Sequence, residues 1–136
     1  MVRDRPDLRT LMAAITFLAL HAMPARAADP AAGQMVFEQK CFGCHAVGDG
    51  ALNKFGPQLN GLFGRTAGSL PGYTFSKAFR KFGIPWSKAT FAAFIRDPRK
   101  AVPGTTMPFS GLKSEQEIAD LIAYLSGFAA DDQMVN

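Results

Sequence analysis

Five consecutive residues, Cys41-Phe42-Gly43-Cys44-His45, constrain this chain more than any other feature. Two thiols separated by two residues and followed at once by an imidazole have the spacing that bonds both vinyl groups of one haem and offers a histidine to its iron. One helical turn brings the sulfurs to adjacent edges of the ring and the imidazole under its centre. A chain built this way must wrap a large flat group.

Other uses of the cysteines fail on their ligands or their setting. A closed structural zinc site takes four Cys or His ligands, and once the leader described below is removed only Cys41, Cys44 and His45 remain. A thioredoxin-like redox pair expects a strand-to-helix turn in an α/β pattern, whereas here the motif ends a helix in a chain with no strong strand signal. A disulfide across two intervening residues would staple almost nothing.

Residues 1–27 read as a cleaved secretory signal peptide. Arg3, Arg5 and Arg9 give a basic start, Leu11 to Leu20 an apolar run, and Ala25-Arg26-Ala27 an A-x-A site, with cleavage expected after Ala27 or Ala28. A retained anchor is the alternative, but the apolar run falls short of the about 20 residues needed to span a bilayer and is broken by His21 and Pro24. No arginine pair is present, so the general secretory route is favoured. The expected location is the periplasm, reached across the inner membrane of a Gram-negative-type bacterium. The mature part, residues 28–136, is long enough for one small domain around one haem. Its 11 basic and 9 acidic residues leave +2, half of the full chain's +4, so nucleic-acid binding has little support and charge placement matters more than the total.

Asp29-Pro30 pairs an N-cap with a first-turn proline, and Gly33, Val36, Phe37, Cys41 and Cys44 follow at helical spacing. The cysteines are expected near the C-terminus of that helix. Gly48 through Gly72 carries too many breakers for a long helix and no sustained alternation for strands. Ser76 to Phe82 predicts a short helix, and Ser87 opens another through Phe91, Phe94 and Ile95 until Asp97-Pro98 stops it. A loop from Pro98 to Pro108 follows. Ser114-Glu115-Gln116-Glu117 reads as a capping box before Ile118, Leu121, Ile122 and Leu125, with Gly127 as the stop. The tail after Phe128 is expected to be mobile. The fold class is all-α.

Iron held by His45 needs a sixth partner or keeps an open face. His21 lies in the leader, Met35 in the haem-bearing helix and Met134 in the tail. Met107 remains, far along the chain in a loop stiffened by Pro103 and Pro108, as a strap over the opposite face requires. Its alternative is a core methionine. His/Met ligation raises the reduction potential and closes the iron to substrates.

These and further motifs resemble the class I cytochrome c family, in its mitochondrial and bacterial periplasmic branch. Beyond the cysteine motif, Gly56-Pro57-x-Leu59, Gly61-Leu62-Phe63-Gly64-Arg65, Gly72-Tyr73-Thr74, Gly83-Ile84-x-Trp86, Pro103-Gly104-Thr105-x-Met107 and Asp120-Leu121-Ile122-Ala123-Tyr124-Leu125 fall in family order. The resemblance implies the class I fold, helices and long loops around one covalently attached haem c. It implies that the Pro57 carbonyl fixes the other nitrogen of His45. It implies that Arg65, Trp86 and Thr105 bond or neutralise a haem propionate, and that Gly33 and Phe37 cross against Leu121 and Tyr124. The chain departs from the mitochondrial pattern at Phe75, Phe79 and Phe94, where that branch has tyrosine, asparagine and tyrosine. The polar network beside the haem is therefore expected to be largely absent. Its redox effect has two opposing terms, a drier pocket and stronger sulfur donation.

By family position Lys40, Lys54, Arg99, Lys100 and Lys113 would ring the exposed haem edge and steer the protein to acidic sites on redox partners; taken singly, each also reads as a solvated surface charge. The function expected is a soluble, monomeric one-electron carrier, not an enzyme. It would run between a dehydrogenase or cytochrome bc-type complex and a terminal oxidase, reductase or photosynthetic centre. A dedicated electron acceptor of one dehydrogenase is chemically identical and differs only in partner. A peroxidase-like or gas-binding protein needs open iron, and the sequence offers no distal histidine and no second haem for the enzymatic version.

Overall fold

A computed structural model describes residues 26–128. Most of the segment expected to be a leader, with His21, and the segment after Phe128, with Met134, lie outside the described residues. Five helices follow in order: α1 Pro30–Lys40, α2 Lys77–Phe82, α3 Lys88–Arg96, α4 Pro98–Ala101 and α5 Glu115–Leu125. Among the described residues the only β pairing is an isolated antiparallel bridge between Thr66 and Pro85. The fold is all-α, with long loops.

Local chemistry sets each helix boundary. Asp29 is extended, its carboxylate accepts from the Ala31 N–H at 2.9 Å, and Pro30 opens α1. Cys41 is the C-cap, so the cysteines follow α1 instead of sitting inside its last turn. Its carbonyl gathers the N–H groups of Cys44 and His45 at 3.0 and 2.9 Å, which holds the motif in a tight turn. Ser76 caps α2, and Gly83 ends it in the left-handed region at φ 49°. A reciprocal capping box closes at Ser87 and Thr90 on α3. At Ser114 only half a box is seen: the hydroxyl accepts from the Glu117 N–H at 3.2 Å, while the Glu117 carboxylate lies 3.8 Å from Lys40 Nζ. The segment after Pro98, read as loop, begins with the single turn α4, because Asp97 accepts from the Lys100 N–H and proline fits a first helical position.

The helices α1 and α5 cross closely, and α5 also packs on α3. A β-carbon at Gly33 would lie 2.8 Å from Tyr124 Cβ and closer still to the Asp120 carbonyl oxygen, so only glycine admits this approach. Beside it Phe37 and Tyr124 stack at a tilt, with ring centroids 5.7 Å apart. Leu112, Ile118, Leu121, Leu125 and Val102 are almost fully buried, and each contributes about 1.5–3 kcal/mol of transfer free energy. The long loop is pinned on its far side by Gly64 N–H to the Trp86 carbonyl, Trp86 N–H to the Arg65 carbonyl and Ala67 N–H to the Ile84 carbonyl, all at 2.8–2.9 Å.

One carboxylate is buried at the α1–α5 crossing. Asp120 is 3% exposed and accepts from the Asp29 N–H at 2.7 Å, Gln116 Nε2 at 2.9 Å and the Arg26 guanidinium at 2.8 Å. Burial pushes its pKa up, but these donors outweigh burial and hold it below 3.8.

Adding one methyl at Gly33 overpacks the crossing, so Gly33→Ala should cost about 1–3 kcal/mol, read as a lower denaturation midpoint of the holoprotein. Gly43→Ala, whose β-carbon meets nothing within 4 Å, should leave the midpoint in place. For Asp120, the folded carboxylate binds its proton less readily than the unfolded one. Its contribution is therefore present above the ordinary value of 3.8 and lost as pH falls below it. Thermal melts across that window should show an acid-side loss in wild type that Asp120→Asn reduces, the remainder coming from other paired carboxylates such as Glu115.

Candidate functional site

Cys41, Cys44, His45 and Met107 line one cavity at the heart of the molecule, although more than sixty residues of chain separate the first three from the last. The centre of a water-sized sphere can range over about 260 Å³ there, many times the 10–15 Å³ or so that admits one water. Interiors rarely keep spaces larger than a water unless something fills them. The remaining lining is mostly apolar, with Leu59 and Leu62 from the long loop, Phe91 and Ile95 from α3, and Leu121 and Leu125 from α5.

His45 is fixed from behind. Its Nδ1 lies 2.7 Å from the Pro57 carbonyl oxygen. A carbonyl only accepts, so the neutral ring carries its proton on Nδ1 and offers the Nε2 lone pair as a ligand. Burial lowers the His45 pKa below 6.5 against the opposing pull of that bond, keeping the ring neutral and able to bind metal. Gly56 completes the seat. A β-carbon there would lie 2.7 Å from Nδ1 and 2.9 Å from Nε2, inside the imidazole's own space. The sequence reading recognised the Gly56-Pro57 pair but gave only the proline a role.

The Cys41 thiol, pushed by burial up to about 11, stays protonated at neutral pH. It therefore carries little thiolate character of its own for thiol redox chemistry. Among the described residues no three His, Cys, Asp or Glu side chains converge as a metal site.

Thr106, Met107 and Pro108, from the loop after α4, line the same cavity as a strap. The Thr105 hydroxyl lies 3.3 Å from the Met107 N–H and accepts from it, which helps shape the strap. Arg65 and Trp86 do line the cavity. The Arg65 guanidinium donates to the Asn60 and Gln58 carbonyls at 3.1 and 3.3 Å, and no carboxylate among the described residues lies within ion-pair distance. Burial lowers its pKa, as expected of a cation short of counter-charge. Phe75, Phe79 and Phe94 also line the cavity and join Trp86 in a continuous wall, with Phe75–Phe79, Phe79–Phe94 and Trp86–Phe94 centroids 6.0, 5.4 and 5.2 Å apart. The Trp86 indole N–H is the one polar group of these four side chains, and Tyr73 packs on Phe75 with ring centroids 4.8 Å apart, its hydroxyl donating to the Phe55 carbonyl.

The basic residues proposed for docking are largely tethered. Lys40 pairs with Glu117, Lys54 donates to the Phe42 carbonyl at 2.9 Å, and Lys113 donates to the Arg96 and Ser110 carbonyls. Arg99 and Lys100 sit on α4.

These residues fit a haem. Two cysteines and a neutral imidazole share one wall, a thioether lies in the strap, the lining is apolar, and a half-buried guanidinium suits an anionic substituent. The tight seat at Gly56 gives a test. Gly56→Ala should displace the His45 ring and lower the haem-to-protein absorbance ratio of the purified protein at least severalfold.

The Cytochrome c family model matches residues 30–128. Cytochrome c2 of Blastochloris viridis is 48% identical over 124 residues, covering 91% of this chain and 97% of that protein. Cytochrome c-554 of Methylosinus trichosporium is 47% identical over 92% of this chain and 94% of its own length. The cytochrome c of Cannabis sativa is 46% identical over 71% of this chain and 87% of its own. The order of motifs, the built seat for His45 and this breadth of similarity agree, and the chain belongs to the cytochrome c family, whose haem c is covalently attached.

Proposed function

We propose that this chain is a periplasmic one-electron carrier with His45 and Met107 as the axial ligands of one haem, thioether-linked through Cys41 and Cys44. The observation that carries this reading is the meeting of an oriented, neutral His45 and the Met107 strap in one apolar cavity. Bound there, the haem supplies a one-electron iron couple.

The chain's own residues then set how that couple behaves. Pro57 and Gly56 hold the His45 ring and its lone pair in place. Met107 offers a soft sulfur that favours the reduced state and raises the potential. Phe75, Phe79, Phe94 and Trp86 exclude water from that side, and Arg65 balances an acidic substituent of the group. The carrier reading, and not an enzymatic one, is supported by the similarity to cytochromes c2 and c-554.

In this reading the leader is removed after Ala27 or Ala28 and the protein works as a monomer. No helix among the described residues is long and apolar enough to cross a membrane. Lys40, Lys54, Arg99, Lys100 and Lys113 would face acidic sites on redox partners. A role as the dedicated acceptor of one dehydrogenase would use the same haem site.

The purified holoprotein should show the weak near-infrared band of ferric iron bound to methionine sulfur. Met107→Ala should abolish the band, lower the reduction potential and let ferrous iron bind carbon monoxide readily. A wild-type protein that lacks the band and binds carbon monoxide at once would overturn His/Met ligation and the carrier reading with it.

A further inference from the structure

The buried Asp120 carboxylate has no part in the haem site, yet it is the most heavily engaged acid among the described residues. Oδ1 accepts from the Asp29 N–H at 2.7 Å and from Gln116 at 2.9 Å, whereas the Arg26 guanidinium, 2.8 Å away, is the one donor placed on Oδ2. Gln116 also reaches back to the Ala27 carbonyl at 3.5 Å, so two residues of α5 grip the chain from 26 to 29. The other charged groups on these elements are committed elsewhere: the Asp29 carboxylate caps α1 at Ala31, Glu38 accepts from Gln34, Glu115 pairs with Arg96, and Glu117 pairs with Lys40.

Arg26 stands on the leader side of the expected cleavage point. Removing the leader would strip the cation from a carboxylate that is 3% exposed, a costly loss for a buried charge. The same reaction makes a new cation nearby. Hydrolysis adds the hydroxyl of water to the leader's acyl carbon and its hydrogen to the released nitrogen, which takes a further proton to become an ammonium. If the cut follows Ala28, that nitrogen is the Asp29 N, already 2.7 Å from Oδ1. If it follows Ala27, the ammonium lies one freely rotating residue away, within reach of the oxygen Arg26 leaves.

We infer that Asp120 is a binding site for the chain's own processed amino terminus, which replaces Arg26 when the leader is cut. The site takes a primary ammonium. Before cleavage a guanidinium secures the start of α1 to α5, and afterwards the terminal ammonium does, so the helix crossing behind the cysteines is held in both forms. An ammonium at the positive end of a helix is unfavourable alone, which gives Asp120 a reason to be there.

This inference rests on the leader reading above, and the experiment separates the two. Intact mass of the exported holoprotein reads the cleavage point. A purified chain that retains Arg26 overturns the leader reading and the exchange together. For a chain starting at Ala28 or Asp29, the α-amino pKa is then measured by competitive acylation across pH. Pairing with Asp120 should raise it clearly above the ordinary value of about 7.7–8.0, and Asp120→Asn should return it to that range. Because this pKa is raised in the folded state, the stabilisation is complete below the ordinary value and lost as pH rises through the raised one. An alkaline fall in melting temperature should therefore appear in wild type and be absent after N-terminal acetylation, a comparison that holds even if Asp120→Asn does not accumulate. An ordinary α-amino pKa in the processed wild type overturns the inference.

Discussion

The missing β-carbon at Gly33 lets two helix backbones touch, and the direction of α1 follows from that contact. With Gly33 against the Asp120 carbonyl and Phe37 against Tyr124, α1 has little freedom to slide or rotate on α5. Its C-terminal end therefore delivers Cys41 and the following turn to a fixed place, beside Leu121 and Leu125 on the inner face of α5. Helix packing thus positions the attachment chemistry, and Phe37 joins the two: its ring packs on Tyr124 while its carbonyl accepts from the Cys41 and Phe42 N–H groups at 2.8 and 2.9 Å.

The cavity combines unlike chemistries: the thiols and the neutral imidazole with its carbonyl anchor, the Met107 strap, and an aromatic cluster whose one polar group is the Trp86 indole N–H. Burial acts in the same sense on Cys41, His45 and Arg65, favouring the uncharged form of each. Only Arg65 has no readily reached neutral state. It stays charged by donating to the Asn60 and Gln58 carbonyls, which orient it toward the cavity without supplying a full counter-charge. A buried cation half-compensated by carbonyls is a position made for an anion.

Much of this was readable in the sequence because covalent attachment fixes spacing. Cys41, Cys44 and His45 must be adjacent, and Met107 followed by elimination once the leader was set aside. The helix starts at Pro30, Lys77, Lys88 and Glu115 follow side-chain caps at Asp29, Ser76, Ser87 and Ser114, and caps are local. What was less legible depends on distant partners. Whether Ser114 closes a full box turned on the Glu117 carboxylate, which lies toward Lys40 on another helix. The seat made by Gly56, the bond from the Met107 N–H to the Thr105 hydroxyl, and the burial of Asp120 all depend on how loops fall in space. No periodicity records those contacts.

Surface charge presents a related problem of place against number. A net charge of +4 over the full chain, or +2 if residues 1–27 are removed, is weak, so on the carrier reading any steering must come from how cations are grouped. Lys54 lies 3.8 Å over the exposed Phe42 ring while donating to the Phe42 carbonyl, next to the attachment cysteines and to the almost fully exposed Phe55. A tethered ammonium projects its field as well as a free one, so long-range attraction is not weakened. The difference comes at contact. A lysine already ordered on an aromatic ring loses less side-chain entropy when a partner arrives, and it leaves Phe42 and Phe55 as apolar surface between the charges. Docking on such a face would combine a field that salt can screen with a hydrophobic contact that it cannot.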